Sequence, residues 1–254
     1  MNNRVALTTI VIRETLRFLR IWPQTLLPPV VVTSLYFIIF GNLIGPRIGT
    51  MDGFGYNEFI MPGLVMMSVI TNAYSNVVSS FYSSKFHRNI EEMLVSPMPD
   101  YIILLGYMLG GVARGLMVGI LVMGVALFFT DLQVKHPWIT VAILLLTAAL
   151  FSLGGFVNAI FAKSFDDISI VPTFVLTPLT YLGGVFYSID MLSPLWQKIS
   201  FANPILYMVN GFRYGILGVS DIGITSALVL ISILLAAMYG TALLLLKRGV
   251  GIRS

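Results

Sequence analysis

Six stretches of the chain, at about 24–44, 59–81, 101–129, 138–161, 168–187 and 224–246, are mostly apolar and long. A helix needs about 20 such residues to cross the hydrocarbon core of a bilayer, where every backbone polar group must bond within its own segment. No other feature limits the fold as tightly. With 57% of the 254 residues hydrophobic and 10% charged, the chain carries more apolar surface than one globular core can cover. The expectation is an all-α polytopic membrane protein with six transmembrane helices. Pro28 and Pro29 fall near the start of the first stretch, where a helix tolerates them. Pro172 and Pro178 fall inside the fifth and predict a kink there. The third is long enough to tilt or to extend beyond the bilayer.

Orientation follows from where the cations lie. Of the 15 Lys and Arg, ten fall at the chain ends and in alternate loops: Arg4, Arg13, Arg17, Arg20, Lys85, Arg88, Lys163, Lys247, Arg248 and Arg253. Only Arg47, Lys135, Lys198 and Arg213 fall in the other set, and Arg114 lies inside the third stretch. Excess positive charge marks the cytoplasmic side. Both termini and the segment 82–100 are therefore expected in the cytoplasm. The net charge of +4 reads as topology and not as a nucleic-acid surface. The chain has no cysteine, which removes disulfides and thiolate metal sites.

Residues 1–22 interleave arginines with apolar positions and do not resemble a cleaved signal peptide. Val11, Ile12, Leu16, Phe18, Leu19 and Trp22 recur at helical spacing, with Arg13, Arg17 and Arg20 on another side. That pattern predicts an amphipathic helix lying on the membrane among anionic headgroups. An extension of the first span is the alternative, and Pro23 separates the two. The segment 188–223 is too apolar for a free loop. Pro194 and Pro204 mark two short helix starts, with Asn203 as the N-cap of the second. Short re-entrant helices between spans five and six, closing the outer end, are expected.

Catalysis finds little support. The two histidines, His87 and His136, lie outside the spans, and neither H-E-x-x-H nor G-x-S-x-G occurs. The carboxylates Glu58, Asp131, Asp166 and Asp167 fall at span ends or in loops, which disfavours a proton relay. An ion-coupled secondary carrier or channel remains the alternative, because Na⁺ can use backbone oxygens. Arg114 either holds an anionic substrate or pairs with helix carbonyls and carboxylates. Ser68, Asn72, Ser75, Asn76 and Ser79 form a polar stripe on the second span, and Ser169, Thr173, Thr177 and Thr180 form one on the fifth. Each stripe lines a path for an amphiphile or bonds neighbouring helices. Gly111, Gly115 and Gly119, with Gly106 and Gly110 nearby, read as close helix packing. There is no G-x-x-x-x-G-K-[ST] phosphate cradle. ATP-driven transport would need a separate nucleotide-binding subunit and a cytoplasmic surface to receive it.

The run "RNIEEMLVSPMP", between two spans, resembles the cytoplasmic loop of ATP-binding-cassette (ABC) type-2 permeases. The later run "PTFVLTPLTYLGGVFYSIDMLSPLWQKISFANPILYMVNGFRYG" is similar to their carboxy-terminal signature, here Gly183, Gly184, Asn203, Pro204 and Arg213. The resemblance covers nearly the whole chain, as a single transmembrane domain over 1–254, and is nearest to bacterial inner-membrane exporters of drugs, polysaccharides and lipid-linked glycans. It implies a homodimer with two cytoplasmic ABC ATPase subunits, among membrane lipids and without nucleic acid. No cofactor is expected on this chain, which would lack ATPase activity of its own, with ATP and Mg on the partner subunit. Arg88, Glu91, Glu92, Met93 and Leu94 would form the helix that couples to the ATPase. Ser68, Asn72, Asn76, Thr173, Thr177 and Thr180 become the candidate pathway. First and fifth spans would meet across the dimer.

Overall fold

The computed structural model describes residues 3–131 and 133–251. Arg253 lies outside them, and so does the side chain of Leu94. The architecture is a helical bundle. α1 spans Asn3–Arg20, followed by α2 (Trp22–Thr25) and α3 (Leu27–Tyr36). A π-helical segment, Phe37–Ile44, continues into α4 (Gly45–Ile48). Pro28 and Pro29 sit in the first turn of α3, where no intrahelical N–H bond is lost. An antiparallel pair of two-residue strands, β1 (Thr50–Met51) and β2 (Phe54–Gly55), then precedes α5 (Tyr56–Phe86). Its turn uses Asp52 and Gly53, both with positive φ, as two-residue hairpins require. This hairpin is the one departure from an all-helical chain among the described residues.

α5 is the longest helix at 31 residues, about 46 Å at 1.5 Å per residue. Its first turn is tied by the Gly55 N–H, which donates to the Glu58 carboxylate at 3.0 Å. α6 (Asn89–Val95) follows a turn at Arg88, and α7 (Asp100–Ala126) begins directly after Pro99. α8 (Pro137–Phe161) also starts at a proline. The fifth apolar stretch forms three short pieces: α9 (Asp167–Val171), a π turn (Pro172–Leu176) and α10 (Thr177–Tyr181). The interruption begins at Pro172, as that residue's missing N–H demands. After a 3-10 turn at Ile189–Met191 come α11 (Pro194–Phe201), α12 (Pro204–Leu217) and α13 (Ile224–Arg248).

Among the described residues, four helices are long and apolar enough to cross a bilayer: Trp22–Ile48 taken together, α7, α8 and α13. α5 has the length but is more polar, and the 167–181 run is short and broken. α5 stands at the centre, packed between α7 and α8. Two rows of glycine let α7 approach its neighbours on both sides. A Cβ on Gly111 would lie 2.5 Å from Val77 Cγ2 of α5 and 2.9 Å from the Ala73 carbonyl oxygen. A Cβ on Gly110 would lie 2.5 Å from Glu14 Cβ of α1. Such approach lets helices gain dispersion contacts where lipid gives no hydrophobic drive.

α1 packs one face against the bundle and keeps the apolar side expected at the membrane exposed. Its buried stripe is Ala6, Ile10, Glu14 and Phe18, spaced by four. The helix runs alongside the first half of α7: Asn3 bonds the Tyr101 hydroxyl at 3.1 Å, Ile10 sits over Gly106 and Glu14 over Gly110. Ile12, Leu16 and Trp22, expected as its membrane face, are exposed, whereas Phe18 is fully buried. Arg13 and Arg17 do not simply face headgroups. Both bond Glu14, at 3.1 and 3.4 Å, and both reach into the bundle. A buried carboxylate demands such partners.

Candidate functional site

Three groups of residues carry the functional reading, and each depends on a different packing problem. The first is the turn between α5 and α7. Lys85, at the end of α5, donates to the carbonyls of Ile160 at 2.7 Å and Ala162 at 2.8 Å, closing the C-terminus of α8. Those carbonyls lack intrahelical partners, so the cation satisfies them. Arg88 adopts φ 62°, the left-handed region, and reverses the chain into α6. Ile90 anchors α6 with 1% exposure, while Glu91 and Glu92 are exposed and Met93 is half-buried. Val95 stands 87% exposed at the tip. A cleft of about 450 Å³ lies beside this helix, lined among others by Lys85, Arg88, Glu91 and Lys163. The Asp167 carboxylate nearby in the chain accepts the N–H groups of Lys163 at 2.8 Å and Ser164 at 3.1 Å. The Lys163 bond foremost holds its pKa below the usual carboxylate range.

The second group is the polar stripe of α5. Asn76 accepts from Arg17, whose Nη2 lies 2.8 Å from its Oδ1 and 2.9 Å from its backbone oxygen. One turn away, Asn72 Oδ1 accepts from Arg114 Nη2 at 3.0 Å. Both asparagines therefore hold arginines. Ser68 instead borders a cleft of about 270 Å³ between α3, α5 and α7, with Arg114 at one end and Tyr36 at the other. Thr33 Oγ1 and Ser68 Oγ, 3.4 Å apart, share a hydrogen bond in its wall. Thr71 lines it too and is exposed, although the sequence gives no reason to prefer it over Asn72. The stripe on the fifth stretch does not join it. Thr173 and Thr177 are exposed, Thr177 donates to the Pro172 carbonyl at 2.9 Å, and buried Thr180 donates to Leu176 at 2.6 Å. Within one chain the first and fifth stretches meet at Tyr36 and Tyr181, whose hydroxyls are 3.0 Å apart.

The third group lies at the opposite end of α5. Arg213 of α12 is fully buried. Its guanidinium donates to the Gly184 carbonyl at 2.5 Å and to Asn210 Oδ1 at 3.3 Å, and stacks 4.0 Å over the Phe59 ring. Gly184 supplies that carbonyl from φ 71°, a conformation suited to glycine. Asn203 caps α12 by accepting the Ile205 N–H at 3.0 Å, and its amide donates to Leu179 at 2.6 Å. Half-buried Pro204 occupies the first helical position. Five residues scattered over 30 positions thus form one clamp joining the end of α10 to α12. α12 is buried at eleven of its 14 residues, whereas α11 buries only Ser200 and leaves Leu195, Trp196, Ile199 and Phe201 exposed.

A bundle of apolar helices with buried arginines held by amides and carbonyls, and a small amphipathic helix projecting at one end, defines a polytopic membrane protein of the permease type. The ABC-2 type transporter family matches residues 5–217, and the chain belongs to that family. It is 60% identical over 251 residues to the inner membrane transport permease YadH of Escherichia coli (strain K12), with 98% of each chain covered. It is 24% identical over 207 residues to nodulation protein J of Neorhizobium galegae, covering 81% of this chain and 79% of that one. The chain is therefore an ABC-2 permease subunit, and its family implies association with ABC ATPase subunits. Its apolar helices and its likeness to an inner-membrane permease support a multi-pass place in the inner membrane.

Proposed function

We propose that the chain is the membrane subunit of an ABC exporter that moves an amphiphilic, lipid-, glycan- or drug-like substrate outward, driven by ATP hydrolysis on a separate subunit. ATP and Mg belong to that subunit, and the permease holds no cofactor or ATPase site of its own. It spans the membrane six times as one domain over 1–254, α5 and the broken stretch 168–187 supplying the two further spans. Both termini and α6 lie in the cytoplasm, and α11 and α12 are the re-entrant elements between the fifth and sixth spans. Two copies form a homodimer, and each α6 enters one ATPase through Arg88, Glu91, Glu92, Met93 and Leu94. Ser68, Asn72, Asn76, Thr173, Thr177 and Thr180 belong to the pathway walls, with the asparagines acting by holding arginines.

The observation that carries this reading is the shape of α6. Seven residues anchored by buried Ile90 present two exposed carboxylates and an almost fully exposed valine. Lone exposed apolar residues are common, but this one crowns a projecting helix beside a polar cleft, as a docking element would. Co-purification with cognate ABC ATPases tests the proposal: a stable stoichiometric complex is expected, and V95E should abolish it while leaving the bundle folded. Failure of every ABC ATPase to bind would sink the reading. An ion-coupled carrier or channel would instead transport in vesicles with this chain alone, under an ion gradient.

A further inference from the structure

Arg114, like Arg213, is held only by neutral groups, but it alone of the two faces an open cleft. It stands 14 positions into α7, about 21 Å along the axis from Asp100. Its Nη2 donates to Asn72 Oδ1 at 3.0 Å and to the Thr25 carbonyl at 3.4 Å, and its Nε is buried without a partner. Among the described residues no carboxylate lies within 4.0 Å of it, whereas Arg17 shares Glu14 with Arg13. A cation drawn out of water without a counter-ion is costly, and neutral amides offset only part of that cost.

The cleft in front of Arg114 shows what could complete it. Its volume is about 270 Å³, enough for a headgroup and the first carbons of a tail but not for a folded polymer. Gln24, Thr25, Thr71 and Asn72 are among its polar lining, and Thr25 and Asn72 bond Arg114 directly. Apolar groups, including Pro29, Val32 and Leu64, line much of the rest. Val32 is 47% exposed, so the apolar wall is open at its flank. The arginine end adjoins α1, because Thr25 Oγ1 donates to the Phe18 carbonyl at 2.8 Å. A phosphate monoester or diester offers the charge and the multiple acceptors that a guanidinium fork matches.

We propose that this cleft binds the phosphate of an amphiphile entering from the inner leaflet, with Arg114 as its counter-ion and Val32 and Leu64 against the tail. This rests on the exporter reading for the orientation of the bundle and gives the substrate class as phosphate-bearing lipids. The lipid-borne phosphate is favoured over free phosphate because most of the wall is apolar.

The test uses the purified full chain in nanodiscs or detergent, with lipid binding read by native mass spectrometry. Phosphatidylglycerol, phosphatidylcholine and inorganic phosphate are the three probes. Wild type should retain phosphatidylglycerol in preference to phosphatidylcholine and should ignore inorganic phosphate. R114Q should lose about tenfold or more of the phosphatidylglycerol affinity, as expected for removing hydrogen bonds to a charged group. R114K should recover part of it. R47Q, changed in α4 outside the cleft lining, should bind as wild type. V32W fills the cleft while keeping Arg114, and it should lose binding even if R114Q proves unstable. Equal retention of phosphatidylglycerol by wild type, R114Q and V32W overturns the proposal. Binding of inorganic phosphate as tight as that of the lipid overturns its lipid source. Neither result touches ATPase recruitment through α6, so failure here is distinct from failure of the exporter reading.

Discussion

α5 and α13 are both long helices, yet twenty of the 31 residues of α5 are buried against four of the 25 of α13. α13 is nearly all apolar and keeps Val229, Ile233 and Leu244 more than half exposed. α5 carries Asn57, Asn72, Asn76 and a row of serines, and sits at the centre. In a soluble protein the order would be reversed. Here lipid is as apolar as leucine, so moving α13 from lipid to protein gains little. α5 is central because it holds groups that lipid cannot satisfy: the carbonyls and amides for Arg17 and Arg114, and the surface that receives Gly111 of α7. Burial in this bundle follows shape and hydrogen bonding more than apolarity.

Matched substitutions would break or sharpen that comparison. F81A in α5 removes a fully buried ring lying 4.1 Å from Phe156 and 5.2 Å from Tyr107, and should cost about 3–5 kcal/mol in unfolding measured in detergent. I233A, at a residue 61% exposed on α13, should stay within about 0.5 kcal/mol of wild type. Equal losses would sink the distinction. G111V should cost about 1–3 kcal/mol by overpacking. G240V on α13, where an added Cβ meets nothing within 4 Å, should leave the melting temperature unchanged. A double-mutant cycle of R17A and N76A should return a coupling of about 1.5 kcal/mol. N203A removes the α12 cap and should cost about 1 kcal/mol.

The smallest effect is at Asp167. Its pKa is depressed in the folded state, so its contribution is present above the ordinary carboxylate pKa and is lost as pH falls through the depressed value. D167N should flatten that acid limb slightly, and a pH series of melting temperatures would read it.

Much of this fold was legible because punctuation residues act locally. Pro194 and Pro204 start helices where they stand, Asn203 caps as its side chain allows, and Pro172 opens the break in the fifth stretch. The clamp residues Gly184, Asn203 and Arg213 were also visible as a motif, although their meeting was not. The stance of α1 was hidden, because an apolar face turned to lipid and one turned to protein look alike in sequence. Its seat did leave a trace: Gly106 and Gly110 are offset from the row 111, 115 and 119, which implies a second neighbour. Thr71 was missed since one residue is 100° of helix rotation, and only packing decides whether position 71 or 72 faces the cleft. The Asp52-Gly53 pair is a hairpin signal, but strands of two residues leave no alternating pattern beside it.

The bonds of Asn3 to Tyr101 and of Lys85 to Ile160, with Gly251 pressed against the same Ile160 carbonyl, bring both described ends of the chain to the end of the bundle that bears α6. A bulky fusion at either end therefore crowds the place where a partner would arrive, and purification tags there should carry long linkers. The same closeness is useful for optics. A small fluorophore at either end, paired with a dye on a candidate ATPase, would test the docking proposed at α6 in real time.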